Sequence, residues 1–436
     1  MDYCHSHFAI RATIVALAIG ICGSGMAADA GAPVTLENAA REAVAWHPSI
    51  IEAAGALNAR GEEVAAARAG YLPTVSAGVG SGYDSRVTGT WRPRPQVGAS
   101  QMLYDFGKVS SDVAAARAGT RVGRAEMLLA VDTLIRDTAY ALIELQRATA
   151  LHAIAVDQAD SIGQIGELVG KRTTMGAATR SDALQAQARV EATTASLATI
   201  EAERRRWASN LAFLLGRAAP PATVSANVPD WLMRSCAQPA SDWDSVPAVM
   251  AADAQTERAS AYLRRSRADR YPTLALGGDA STDFASPFGQ RSIYNVGLRV
   301  TSNIFAGGIT RARVRGASYE LDAAEARAKR VRNETGQRLA EAQQQIDSLS
   351  RLGATLTARE DNMRETGRLY RIQYLEMGTR TLVDLLNAEQ ELQQVRYEAV
   401  NTAHDLRRLQ VDCLFLSGRM RDAFGLAGTA VRGVTL

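Results

Sequence analysis

One skeleton is written twice along this chain of 436 residues. Pro48 and Pro73 recur as Pro247 and Pro272. Tyr104-Asp-Phe-Gly107 recurs as Ile304-Phe-Ala-Gly307, Gly176 as Gly378, and Leu214-Leu-Gly216 as Leu416-Ser-Gly418. Subtracting the numbers of matched landmarks gives offsets of 199, 199, 200, 202 and 202 residues. Landmarks that keep step to within three residues mark a duplication of one supersecondary unit. The first unit spans 28–216 and the second 244–418. A proline-rich linker, 217–243, carries Pro220, Pro221, Pro229 and Pro239, and a tail, 419–436, follows.

Each unit holds a long run without proline, from Lys108 to about Arg172 and from Ile309 to about Leu375. A helix of roughly 65 residues is a rod about 100 Å long at 1.5 Å per residue. Such a rod cannot bury itself in a unit of this size and must pack sideways on others. Each rod ends at a glycine, Gly176 or Gly378, and a second helix of roughly 40 residues returns from it. From Leu385 the return helix carries Ala388, Leu392, Val395, Ala399, Thr402, Leu406, Leu409, Cys413 and Leu416 at steps of three and four. That is a heptad seam with one polar member. The first-unit seam, Val190, Leu197, Ile200, Trp207, Leu211 and Leu214, is interrupted by Thr193 and Arg204. A shorter helix opens each unit, about 35–70 and 244–270, with Thr35 as its cap. His47-Pro48 marks a kink or a restart within the first, because proline suits a first turn. No metal-spaced partner accompanies His47, so it reads as structural.

Between the short helix and the rod lie two strand-like segments in each unit, about 73–83 and 95–104, then 272–284 and 293–304. In the last, Tyr294, Val296, Leu298, Val300 and Ile304 share one face, with Ser302 the exception. Asn295, Gly297, Arg299, Thr301 and Asn303 share the other. Val97, Ala99 and Leu103 alternate in the same way. A period of two with an apolar and a polar face fits a strand. Its length suits either a hairpin packed on helices or an outer-membrane strand. Four strands cannot close a barrel, since the smallest bacterial barrels use eight. The membrane reading therefore requires several chains to share one.

Residues 1–27 read as a secretory signal. Arg11 precedes an apolar run from Ala12 to Cys22, and Gly25-Met-Ala27 offers a small-residue cleavage site, with Ala28-Asp-Ala30 as a second. No later stretch is long and apolar enough for a membrane helix. A net charge of +3 implies no nucleic-acid surface. Cys236 and Cys413 remain after cleavage. Cys413 reads as a packed seam residue. Its helix ends at Gly418 and Cys236 lies in the linker, so a Cys236–Cys413 bridge in an oxidising compartment is the alternative.

These residues resemble the TolC-type outer-membrane factors. The carrying motifs are Ala53-Ala54, Ala66-Ala-Arg-Ala-Gly-Tyr-Leu-Pro73, Tyr104-Asp-Phe-Gly107 and Gly378-Thr-Arg-Thr-Leu-Val-Asp-Leu-Leu-Asn-Ala-Glu-Gln390. The resemblance covers essentially the whole mature chain. It implies a mainly α fold with a membrane β-barrel portion. Three chains would give four strands each to a 12-stranded barrel, continued by a periplasmic α-barrel. The two glycine turns would be the periplasmic tips, and Gly176 and Gly378 would meet a periplasmic adaptor. In relatives an arginine after the second tip glycine bonds a hydroxyl and a carboxylate after the first. The matching residues are Arg380, Ser181 and Asp182, a gating latch. Relatives carry two acidic residues spaced by three inside the mouth. Asp384 matches the first and Asn387 replaces the second, leaving a single acidic ring. Tyr294, Val296, Leu298 and Val300 would face outer-membrane lipid.

The implied function is a passive homotrimeric exit duct in a Gram-negative outer membrane. An adaptor and an inner-membrane ABC or proton-driven transporter would be its partners. No cofactor and no metal is expected. Neither a nucleophile, a companion histidine nor a phosphate loop accompanies Asp182 and Asp384, so an enzyme is not expected. The wording Leu382-Val-Asp-Leu-Leu-Asn-Ala-Glu-Gln390 resembles type I secretion members. Drug efflux is the alternative within ducts, and a structural periplasmic coiled coil the alternative outside them.

Overall fold

The computed structural model describes residues 33–82, 92–236, 243–282 and 293–436. The signal segment, the strand ends near Tyr83 and Phe284, and Pro239 lie outside the described residues. Among those residues no helix is long and apolar enough to cross a membrane.

The first unit opens with α1 (Leu36–Trp46) and α2 (Pro48–Ala69). Thr35 caps α1 by accepting from the Asn38 N–H at 3.2 Å. His47 caps α2, its Nδ1 accepting from the Ser49 N–H, with Pro48 in the first turn. The His47-Pro48 pair is thus a restart, and the histidine is a cap. Strands β1 (Thr74–Gly82) and β2 (Arg92–Tyr104) follow, then the rod α3 (Lys108–Thr174) and the return helix α4 (Arg180–Leu215). The linker forms one turn, α5 (Asp230–Met233). The second unit repeats the plan with α6 (Pro247–Ala268), β3 (Thr273–Ser281), β4 (Ile293–Thr301), α7 (Ile309–Ile372) and α8 (Leu382–Leu416). The tail makes a turn, α9 (Met420–Ala423), and a small hairpin of β5 (Ala430–Val431) and β6 (Val434–Thr435).

The four long strands form one antiparallel sheet in the order β1-β2-β3-β4. β2 and β3 are neighbours although all of α3, α4 and α6 lies between them in sequence. The duplication is therefore laid side by side, and each copy leaves one edge open, at β1 and at β4.

The main core lies where both return helices end. Leu211 and Leu215 of α4 and Val411 and Leu414 of α8 meet α1, the middle of α3, and Leu232 of the linker. The tail closes this core with Met420, Phe424 and Leu426, all buried. The C-terminal tail, 419–436, is thus part of the core. Arg421 reaches the buried Asp132 of α3 at 3.2 Å. Burial pushes the Asp132 carboxyl up to about 7, against the pull of Arg421. A smaller cluster sets Cys413 against Leu339 and Ala342 of α7. There Cys236 and Cys413 are joined as a disulfide, with Cα atoms 5.5 Å apart, tying the linker to α8.

None of the α8 seam residues is exposed. In the α4 seam Thr193 is buried at 5% exposure, its hydroxyl returned to the carbonyls of Arg189 and Val190. A threonine that satisfies itself on its own helix is carried by the seam without breaking it.

Candidate channel elements: the strands and the helical turns

Strand pairing decides which side chains share a face. Leu274 pairs with Val300, Leu276 with Leu298 and Gly278 with Val296; Ala77 pairs with Val97 and Val75 with Ala99. One face of the whole sheet is therefore apolar. It is also exposed: Tyr294 is 82% accessible, Val296 79%, Leu298 69% and Val300 67%. Among the described residues no element of the protomer covers it, which is at odds with the packed-hairpin reading, in which this face would be core. The opposite face carries Thr74, Ser76, Gln96, Ser100, Asp279, Asn295 and Arg299. It borders a hollow of about 430 Å³, so the polar face is the concave one. The Asn295 amide donates to the Asp279 carboxylate across this face at 2.8 Å. Ile304, assigned by alternation to the apolar face, lies beyond β4, which ends at Thr301.

At the far end of the rods the two turns use one device. Gly176 and Gly378 take the left-handed conformation, with φ of 76° and 60°, which glycine alone adopts without cost. Three residues later a threonine starts the return helix. Thr179 accepts from the Asp182 N–H, and the Asp182 carboxylate accepts from the Thr179 N–H. Thr381 and Asp384 make the same reciprocal box. The Thr381 hydroxyl also donates to Asp384 at 2.9 Å. That bond and the backbone one hold the Asp384 carboxyl below its ordinary range. Both aspartates are therefore helix caps in addition to any role at a mouth. The pattern Thr-x-x-Asp was readable at both sites and is the signal that sequence reading passed over.

The turns differ in their approach. α3 ends as an α-helix, whereas α7 loosens into a π turn over Gln373–Met377 before Gly378. The widened turn buries Tyr374 in a cluster with Ile162, Ile165 and Val169 of α3, Ala186 of α4 and Leu382, Leu385 and Leu386 of α8. Arg172 donates to the Tyr374 carbonyl at 3.1 Å and lies 5.0 Å from its ring centre. Arg371 donates to the Ser161 hydroxyl at 2.6 Å. These contacts join the two units at the tips, and sequence reading named none of them.

The latch residues are placed separately within one protomer. Arg380 donates to the Gln373 side chain at 3.2 Å and stacks over Tyr370 at 4.5 Å. The Ser181 hydroxyl pairs with that of Thr179 at 2.7 Å. Asp182 is occupied in its cap through one carboxylate oxygen only, Oδ2.

Comparison with known proteins matches the same two units. The family model described as outer membrane efflux protein matches residues 39–217 and 244–418. The outer membrane efflux protein BepC of Brucella suis is 24% identical over 426 residues, covering 95% of this chain and 92% of that protein. Protein CyaE of Bordetella pertussis is 28% identical over 320 residues, 69% of this chain and 66% of that protein. The solved structure of CusC superposes with a TM-score of 0.79 at 18% identity, covering 88% of this chain and 91% of that one.

Proposed function

We propose that this chain, which belongs to the outer membrane efflux protein family, is the exit duct for protein cargo of a type I secretion machine. The chain is an outer-membrane efflux channel of tripartite systems, with a large periplasmic part, and it is not an enzyme. Family members act as trimeric channels with a periplasmic adaptor and an inner-membrane transporter.

In our reading three protomers pair each β4 with the β1 of a neighbour. That removes every open edge and makes twelve strands from four per chain. The exposed face of Tyr294, Val296, Leu298 and Val300 then meets lipid, and the concave polar face lines a wet lumen. The rods extend the lumen about 100 Å into the periplasm. The tips around Gly176 and Gly378 meet the adaptor. Arg380 closes the mouth on Ser181 and Asp182, and Asp384 supplies one acidic ring. Transport energy enters at the inner membrane; the duct supplies a path and a gate.

The observation that carries protein cargo is the mouth wording Leu382–Gln390, which resembles secretion members. The match to BepC over nearly the whole chain favours small-molecule efflux instead. Deletion of the gene separates the two. Loss of one or a few proteins from the culture medium, with drug susceptibility unchanged, is the expected result. Raised susceptibility to several unrelated small molecules, with an unchanged set of exported proteins, would establish the efflux reading.

A further inference from the structure

Just below the strands the chain is strongly basic. Residues 64–70, 105–117, 262–271 and 304–318 hold ten basic side chains against three acidic ones, Asp105, Asp112 and Asp269. The acids are already used. Asp105 accepts from the backbone N–H groups of Gly107 and Val109 at 2.9 and 2.6 Å. Asp112 and Asp269 are both taken by Arg265. Arg264, Arg267 and Arg270 are thus left with no carboxylate partner among the described residues, and Arg264 has only a 3.3 Å contact to the Ser260 hydroxyl. All three are exposed. The duplication shows how particular this is. Where the second unit writes Leu263-Arg-Arg-Ser-Arg-Ala-Asp-Arg-Tyr271, the first writes Val64-Ala-Ala-Ala-Arg-Ala-Gly-Tyr71, with one arginine.

An aromatic chain links this basic site to the apolar strand face. Tyr104 pairs with Leu274, and Leu274 with Val300, so the three share that face. Tyr104 meets Phe106 edge-on at 4.7 Å, and Phe106 stacks on Tyr271 at 5.2 Å. Phe106 and Tyr271 in turn border a groove of about 380 Å³ between α3 and α6, with Arg264 and Arg267 also lining it. Arg267 and Arg270 lie six and three residues before β3, within about 10 Å of it. That is roughly the depth of a headgroup layer beside the hydrocarbon core.

We propose that this groove binds the phosphate headgroup of an anionic phospholipid in the inner leaflet of the outer membrane. Phe106 and Tyr271 sit at the acyl boundary, and Arg264 and Arg267 meet the phosphate. Guanidinium groups suit phosphate oxygens through paired N–H donors, and aromatic rings with one polar end prefer the membrane boundary. The proposal rests on the reading that the exposed strand face meets lipid.

The test uses the purified full-length trimer in detergent, titrated with phosphatidylglycerol, phosphatidylethanolamine or inorganic phosphate. Bound lipid is counted by native mass spectrometry, and conductance is recorded in planar bilayers. The expected result is selective retention of phosphatidylglycerol. Retention should weaken about tenfold or more in Arg264→Gln/Arg267→Gln. It should be unchanged in Arg205→Gln/Arg330→Gln, which removes equal charge elsewhere. Arg267→Gln alone should weaken it by about fivefold, so the proposal stays testable if the double variant fails to assemble. Equal retention of phosphatidylethanolamine, full displacement by inorganic phosphate, or unchanged retention in Arg267→Gln overturns the proposal. A wild-type protein that neither inserts nor conducts sinks the lipid-facing reading itself; conduction without anionic-lipid preference sinks only this site.

Discussion

α3 and α7 occupy the same place in the two copies, yet they are buried very differently. α3 buries 28 of its 67 residues, and α7 buries 7 of its 64. The cause is position. α3 has α4 on one flank and α6 on the other, with α1, α2 and α8 also against it. α7 packs along its length on α6 and α8, and meets α3 at Ser161 and the linker at Cys236 by single hydrogen bonds from Arg371 and Gln343. The sheet does not share this asymmetry, since each copy gives it one inner strand, β2 or β3, and one edge strand, β1 or β4. In its helices one copy is therefore the interior of the protomer, and the other is a margin. A margin made of a 64-residue rod and an unpaired strand fits a protein whose remaining core is supplied by further copies of itself.

The largest expected effect bears on how the marginal copy is held. Its own apolar cluster is small, Leu339, Ala342 and Cys413, and the Cys236–Cys413 bond closes a loop of 177 residues on that cluster. In the chain-entropy account a loop of that length stabilises by about 5 kcal/mol. Cys236→Ser/Cys413→Ser should therefore speed hydrogen exchange along α7 and α8 and leave the middle of α3 protected. Equal loss in α3 would mean that the copies are not separate in stability, and the comparison would break.

The next effect concerns the open strand. Val296→Arg or Leu298→Arg should each cost about 2–4 kcal/mol of membrane insertion if that face meets lipid. Asn295→Arg, one residue away on the concave face, should insert normally. Outer-membrane fractions probed for heat-modifiable trimer report this directly. Normal trimer yield from both apolar-face variants would assign lipid contact to the other face.

A third effect lies on the seam between copies. His404 of α8 is buried, its Nδ1 donating to the Val400 carbonyl at 2.7 Å and its Nε2 accepting from Arg407 at 3.0 Å. Burial lowers its pKa to about 4, so the fold holds the neutral ring. A base whose folded pKa lies below its unfolded one stabilises fully above about 6.5, and that contribution is lost as the pH falls toward 4. The difference amounts to about 3 kcal/mol. Asp132 has the opposite slope, since a carboxyl raised to about 7 binds its proton more tightly in the fold. Comparing His404→Gln with wild type cancels that slope. The variant's thermal midpoint should fall less between pH 7 and pH 4.5. An equal fall would place the acid sensitivity elsewhere.

Much of this architecture was readable because the fold is built of long, regular elements. Pro48, Pro73, Pro247 and Pro272 stand at or just before the element starts. The alternation of Tyr294 to Val300 put the right residues on one face, and β4 begins at Ile293 as that pattern requires. The heptad steps from Leu385 to Leu416 found a seam that is buried or half-buried throughout. What was missed is short or aperiodic. α9 is one turn and β5 and β6 are two residues each, too little to show a period, yet Phe424 and Met420 are fully buried. The π turn before Gly378 has no compositional mark. Asp182 and Asp384 were noticed for their charge, while their fixed spacing from Thr179 and Thr381 went unread. The difference between α3 and α7 is partly in the sequence, since α7 writes far more arginine. Which flank stays open is set by tertiary order, which no local pattern states.

The smallest effect is energetic only in name, because it is read as current. Within the protomer Arg380 is held by Gln373 and Tyr370, and Ser181 by Thr179, so the latch is not closed inside one chain. The helix cap nevertheless leaves it available, since Asp182 uses Oδ2 for Thr179 and keeps Oδ1 for another donor. An Arg380 that turns from Gln373 toward the Asp182 of an adjacent tip would close the mouth without uncapping α4. Exposed pairs of this kind are worth less than about 1 kcal/mol, so folding and trimer yield should not change in Arg380→Ser. Single-channel conductance should rise. Asp182→Asn retains an oxygen for the cap and removes the charge, so it should open the channel in the same direction. If both residues act through one contact, Arg380→Ser/Asp182→Asn should conduct no more than the more open single variant. Additive increases would mean that each residue holds the mouth through a different partner, with Tyr370 and Gln373 then the contacts that matter on the α7 side.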